Sequence, residues 1–67
     1  MDIFVNGMPV TLHGKQSYIF VDLFDFYAFD LTPRPGKRIT TKRNKRDAQY
    51  MEPLAAGDMI EIYWRDN

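Results

Sequence analysis

Tyr18-Ile19-Phe20-Val21-Asp22-Leu23-Phe24-Asp25-Phe26-Tyr27-Ala28-Phe29-Asp30-Leu31 is the stretch that decides between an all-β and a mixed domain. Its Phe, Tyr and Val residues favour strands in isolation. The periodicity argues otherwise. At about 100° per residue, Phe20, Phe24, Tyr27, Ala28 and Leu31 share one face with Val21 and Leu23 flanking it, while Asp22, Asp25 and Asp30 fall opposite. A strand would set Asp22 and Asp25 on opposite faces, one of them inside. The spacing therefore predicts one amphipathic helix, with Ser17 as its N-cap. It should end before Thr32-Pro33-Arg34-Pro35-Gly36, where two prolines and a glycine forbid continuation.

Before this stretch, Ile3-Phe4-Val5 and Val10-Thr11-Leu12 alternate apolar side chains around Asn6-Gly7, a dipeptide that tolerates the positive φ of a tight hairpin turn. Pro9 lacks an N–H and suits a sheet edge. After it, Arg38–Arg43 reads as a strand with Ile39, Thr41 and Arg43 on one face and Arg38, Thr40 and Lys42 on the other. Asn44-Lys45 makes a turn, Ala48-Gln49-Tyr50 a short extended piece, and Glu52–Asp58 a turn-rich connector. The last strand, Met59–Trp64, points Ile60, Ile62 and Trp64 one way and Met59, Glu61 and Tyr63 the other. Hairpin, helix, strand, short strand, strand: one helix on one face of a small mixed sheet makes an α+β two-layer domain spanning residues 1–67.

Three of these segments carry a resemblance. Ile3–Leu12 is similar to the opening hairpin of the ubiquitin-like β-grasp proteins of the ThiS/MoaD type, and Phe20-Val21-Asp22-Leu23-Phe24 resembles the start of their helix. Pro53-Leu54-Ala55-Ala56-Gly57-Asp58-Met59-Ile60-Glu61-Ile62 is similar to their closing Leu–Gly–Asp–strand motif, which the related TGS domains share. The resemblance implies a β-grasp fold, a bacterial setting and docking through the sheet surface. It also implies a sulfur-carrier chemistry that depends on a mobile C-terminal Gly-Gly, since only a tail without side chains threads a narrow catalytic channel. Trp64-Arg65-Asp66-Asn67 is bulky and charged, so that function has no glycine tail to rest on within this sequence. Two readings stay open: a domain that never used the tail, or a piece of a longer protein, such as an excised domain or a truncated or degenerate carrier.

The composition narrows the function classes. The 67 residues hold nine Lys plus Arg, nine Asp plus Glu and one His, which excludes a uniformly basic or acidic chain. Cysteine is absent, so disulfides, thiolate metal sites and a Cys nucleophile are excluded. No apolar run approaches the roughly 20 residues of a membrane span, and Met1-Asp2-Ile3-Phe4 has no basic region of a signal peptide. The expectation is a cytoplasmic protein without membrane contact. Ten aromatic residues bury much area per residue and help so short a chain form a core.

Reactive constellations are sparse. His13 and Ser17 read as a surface residue and a helix cap rather than parts of a triad. Asp22 and Asp25, three apart, read as a solvated acidic face rather than a Mg²⁺ site, because neither an EF-hand spacing nor a phosphate loop accompanies them. The chain is expected to be non-catalytic, with no metal, no cofactor and no small-molecule substrate.

The charge distribution is more telling. Seven of the nine basic residues, Arg34, Lys37, Arg38, Lys42, Arg43, Lys45 and Arg46, fall together with no acidic residue among them. Such a segment either attracts an anionic partner in a salt-dependent way or serves solubility and edge protection. An acidic protein is the expected partner, and RNA, in a TGS-like role, is the alternative. A second surface is expected from Ile19 and Phe26, placed with Phe29 on the arc of the aspartates. Phe29 also has the option of folding back onto the core, and Phe26 divides evenly between core and surface. A third, Phe4, Met59 and Tyr63 with Glu61 on the outward face of the sheet, is a docking surface by what the β-grasp resemblance implies. Together they suggest a protein–protein interaction module.

Overall fold

A computed structural model describes residues 1–66. Five strands form one mixed sheet: β1 (Asp2–Val5), β2 (Met8–Thr11), β3 (Lys37–Arg43), β4 (Arg46–Asp47) and β5 (Met59–Asp66). Their spatial order is β2-β1-β5-β3-β4. β1 and β5 run parallel, and every other neighbouring pair is antiparallel. The protein is thus a small α/β domain with a five-stranded mixed sheet and little helix.

Both hairpins form where the sequence puts them. Asn6 and Gly7 take φ of 51° and 81°, and Asn44 and Lys45 take 53° and 69°. Two consecutive positive φ values make the tight turn whose twist matches that of the flanking strands. The last strand alternates as expected: Ile60 and Ile62 are fully buried, Met59 and Tyr63 exposed. Ile3, Val5, Leu12, Tyr18, Phe20, Leu23, Ala48 and Leu54 complete the core. Removing a fully buried Leu such as Leu23 from a core of this kind costs about 2–5 kcal/mol.

The segment after the first hairpin departs from expectation. Instead of an amphipathic helix over 18–31, there is a 3₁₀ helix of six residues, Phe20–Asp25. The strand preference of the leading residues prevails. Ile19 bridges Pro53 in antiparallel fashion, Leu54 N–H donates to Tyr18 O at 2.9 Å, and Val21 N–H donates to Tyr50 O at 2.9 Å. The main-chain groups that would start an α-helix at Tyr18 are therefore spent on the 50–54 connector. Among the described residues Ser17 caps nothing; the first-turn Phe20 N–H goes to Glu52 O at 2.8 Å, and Asp22 reaches back to accept Ile19 N–H on Oδ2 at 2.9 Å. Bonds spanning three residues, such as Asp22 N–H to Ile19 O, keep the turn tight. Crowding of aromatic and β-branched side chains against the preceding turn disfavours a longer helix here.

Beyond Asp25 the chain runs irregularly to β3, so the expected helical face is not realised. Phe20 and Leu23 are buried, but Val21, Ala28 and Leu31 are exposed. Phe29 folds back, stacking on Trp64 with ring centroids 6.4 Å apart, while Trp64 Nε1 donates to Asp30 O at 3.0 Å. The extended piece expected at Ala48–Tyr50 is also displaced. Pairing with β3 occurs at Arg46–Asp47, and the chain turns away at Tyr50–Met51.

No helix among the described residues is long and apolar enough to cross a membrane.

Candidate docking surface

Register fixes what each face of the sheet presents. Ile3 lies opposite Val10, and Ile39, Thr41 and Arg43 lie opposite Trp64, Ile62 and Ile60; this face carries the core. The other face presents Pro9, Phe4 and Met59 in one row across β2, β1 and β5. Next come Glu61, Lys42 and Asp47 across β5, β3 and β4, then Tyr63 beside the buried Thr40, and last Arg65 with Arg38. The outer face therefore grades from apolar at one end to cationic at the other. Phe4 is 43%, Met59 58% and Tyr63 37% exposed, large values for apolar side chains within strands.

The seven clustered cations are dispersed by the fold. Arg38 and Lys42 reach the outer face. Lys37 pairs with Asp66, and Arg34 pairs with Asp30 at 3.5 Å while its guanidinium lies 5.2 Å from the Trp64 ring. Lys45 sits in the β3–β4 turn, and Arg46 pairs in register with Arg43 on the core-side face. Among the described residues no carboxylate lies within 4 Å of Arg38, Lys42, Lys45, Arg46 or Arg65. Arg65, outside the clustered segment, joins Arg38 as its cross-strand neighbour. Only strand register reveals that pair; linear charge density does not.

Arg43 is engaged within the domain. Its Nε donates to Asp58 Oδ2 at 2.6 Å and a terminal nitrogen contacts Glu52 at 3.2 Å. Asp58, 4% exposed, also accepts from Ala55 N–H at 2.7 Å and Asn44 Nδ2 at 3.0 Å. Burial pushes the Asp58 carboxyl up, but the Arg43 guanidinium, Ala55 N–H and Asn44 amide outweigh it and hold the group below its ordinary value. The same partners raise Arg43 further, the hydrogen bond to Asp58 first and that to Glu52 second. This network joins β3, the second turn and the start of β5.

The remaining expected contact residues lie in the layer over the core-side face. Ile19 is half-buried in its bridge to Pro53. Phe26 is half-buried edge-on to His13 and Tyr18, at centroid distances of 5.0 and 6.4 Å. They form no continuous patch with Phe4, Met59 and Tyr63. Asp22 is occupied by Ile19 N–H and by Lys15 Nζ at 3.0 Å, which hold its carboxyl below the usual range in that order. Among the described residues, no three His, Asp or Glu side chains gather as metal ligands. Comparison with protein-family models, curated proteins and solved structures finds no match for this chain.

Proposed function

We propose that this chain is a non-catalytic protein–protein interaction module of the ubiquitin-like β-grasp type, docking through the outer face of its sheet. The strand order β2-β1-β5-β3-β4 is compatible with a β-grasp. The observation that carries the reading is the open row of Phe4 and Met59, continued by Tyr63, beside a cationic end formed by Arg38 and Arg65. Apolar side chains supply contact area when water is expelled, and the arginines steer an acidic partner into register. A footprint of about 800 Å² per partner is roughly a sixth of the 4763 Å² surface.

The test is the double variant Phe4→Ser with Met59→Ser. Both side chains stand away from the core, so thermal stability should hold while the protein captured by the wild-type domain is lost. Unchanged capture, or capture of nuclease-sensitive material alone, overturns the reading in favour of no docking or of RNA.

A further inference from the structure

The β3–β4 ladder stops early, and what it leaves open is specific. The register that sets Lys42 opposite Asp47 and Arg43 opposite Arg46 would set Tyr50 opposite Ile39. Ala48 N–H still donates to Thr41 O at 3.0 Å, but the chain then turns away. Tyr50 lies against the rings of Phe20 and Phe24, and its carbonyl accepts Val21 N–H at 2.9 Å. Main-chain groups along an antiparallel strand point alternately to either side. Thr41 points towards β4, so Ile39 does too, and its N–H and C=O face the vacated position. Among the described residues nothing bonds them. An open groove of about 430 Å³ runs along this edge, lined by Arg38–Lys42 with Asp47, Ala48 and Arg65.

We infer that the β3 edge is a second binding site, taking an extended acidic peptide as an added strand in line with β4. Pairing with Ile39 would turn the opposing peptide side chain to the core-side face, next to half-buried Ile39, so that residue should be apolar. Register sets its neighbours on the outer face, one opposite Arg38 with Arg65 behind it and the other opposite Thr40, two residues along the same face from Lys42, so these should be acidic. The motif is acidic–apolar–acidic. The same cations work against a second copy of this chain, because pairing two β3 edges brings like charges together. The inference rests on the preceding reading only for the sign of the partner's charge; Phe4 and Met59 take no part.

The test uses a chemically synthesised chain with Ile39 N-methylated, which removes one donor that no internal bond uses and keeps the side chain. The probe is a short capped peptide alternating aspartate with valine. The wild-type domain should bind it with slowed hydrogen exchange at the Ile39 amide. N-methylation should weaken binding about tenfold, and Arg38→Glu should weaken it as well. The Phe4→Ser, Met59→Ser double variant should bind the peptide as wild type does, which separates this site from the outer-face reading. Absence of peptide binding at low salt, binding without protection of Ile39, or equal affinity for the N-methylated chain overturns the proposal. The circular dichroism spectrum of the N-methylated chain establishes that it is folded; should it not be, protection of Ile39 in the wild type and the effect of Arg38→Glu decide.

Discussion

The Asn6 side chain pairs with the main chain of Ile62 as a further strand residue would. Ile62 N–H donates to Asn6 Oδ1 at 2.9 Å and Asn6 Nδ2 donates to Ile62 O at 3.0 Å. β1 ends at Val5 so that the chain can turn, and the carboxamide continues the parallel ladder beyond that end. One residue thus supplies both the left-handed turn conformation and the missing pairing.

Asn6→Gly separates those two roles. Glycine accepts the positive φ more readily than asparagine, so by turn geometry alone the variant would gain stability. Loss of both hydrogen bonds to Ile62 should prevail, with a net cost of about 1–2 kcal/mol. In a domain of this size that lowers Tm by about 4–8 °C for each kcal/mol. Thermal unfolding followed by circular dichroism checks it.

Asp58 should govern the acid limb of stability. Its folded value lies below the ordinary 3.8, so the unfolded chain binds the proton more readily. The stabilisation is therefore fully present above 3.8 and is lost as pH falls through the folded value. Asp58→Asn should cost about 1–3 kcal/mol at neutral pH, and the gap to wild type should narrow as pH drops below 3.8. Urea unfolding across a pH series measures this. A gap that stays constant contradicts it.

Lys45 holds φ of 69° without being glycine. A left-handed conformation costs an L-residue with a Cβ roughly 1–2 kcal/mol, and no ion pair of Lys45 offsets this among the described residues. Lys45→Gly should recover about 0.5–1 kcal/mol, less than the full strain because the unfolded chain gains freedom. The readout is the urea midpoint at unchanged slope.

Arg65 and Arg38 face each other across β5 and β3. Like charges at such positions disfavour the sheet, and opposite charges favour it. Arg65→Glu should leave thermal stability equal to or above that of wild type. The same variant should reduce capture of an acidic partner, most visibly at low salt. Gain in folding with loss of binding is the outcome expected of residues kept for a partner.

The sequence made β1, β2, β3 and β5 legible, and the short β4 and the crossing segment not. Asn6-Gly7, Asn44-Lys45 and the alternation of Met59–Trp64 are local signals, each read within a few residues, and each forms as expected. The 18–31 segment has a helical period and strand-favouring residues at once. The conflict is resolved by the 50–54 connector, some thirty positions away, whose carbonyls and amides take the groups an α-helix would use. The site shows the same division. Phe4, Met59 and Tyr63 follow from period-two alternation. The dispersal of the basic segment, the burial of Asp58 under Arg43 and the partnership of Arg38 with Arg65 require cross-strand register, which linear sequence does not display.

Site-specific photo-crosslinking in cells tests the outer-face assignment most directly. A benzophenone side chain at Met59 should give a discrete protein adduct that disappears with Arg38→Glu and Arg65→Glu, and the same group at Gln16, in the turn before the 3₁₀ helix, should give none. No adduct at Met59, equal adducts at both positions, or an adduct that nuclease removes would contradict the account.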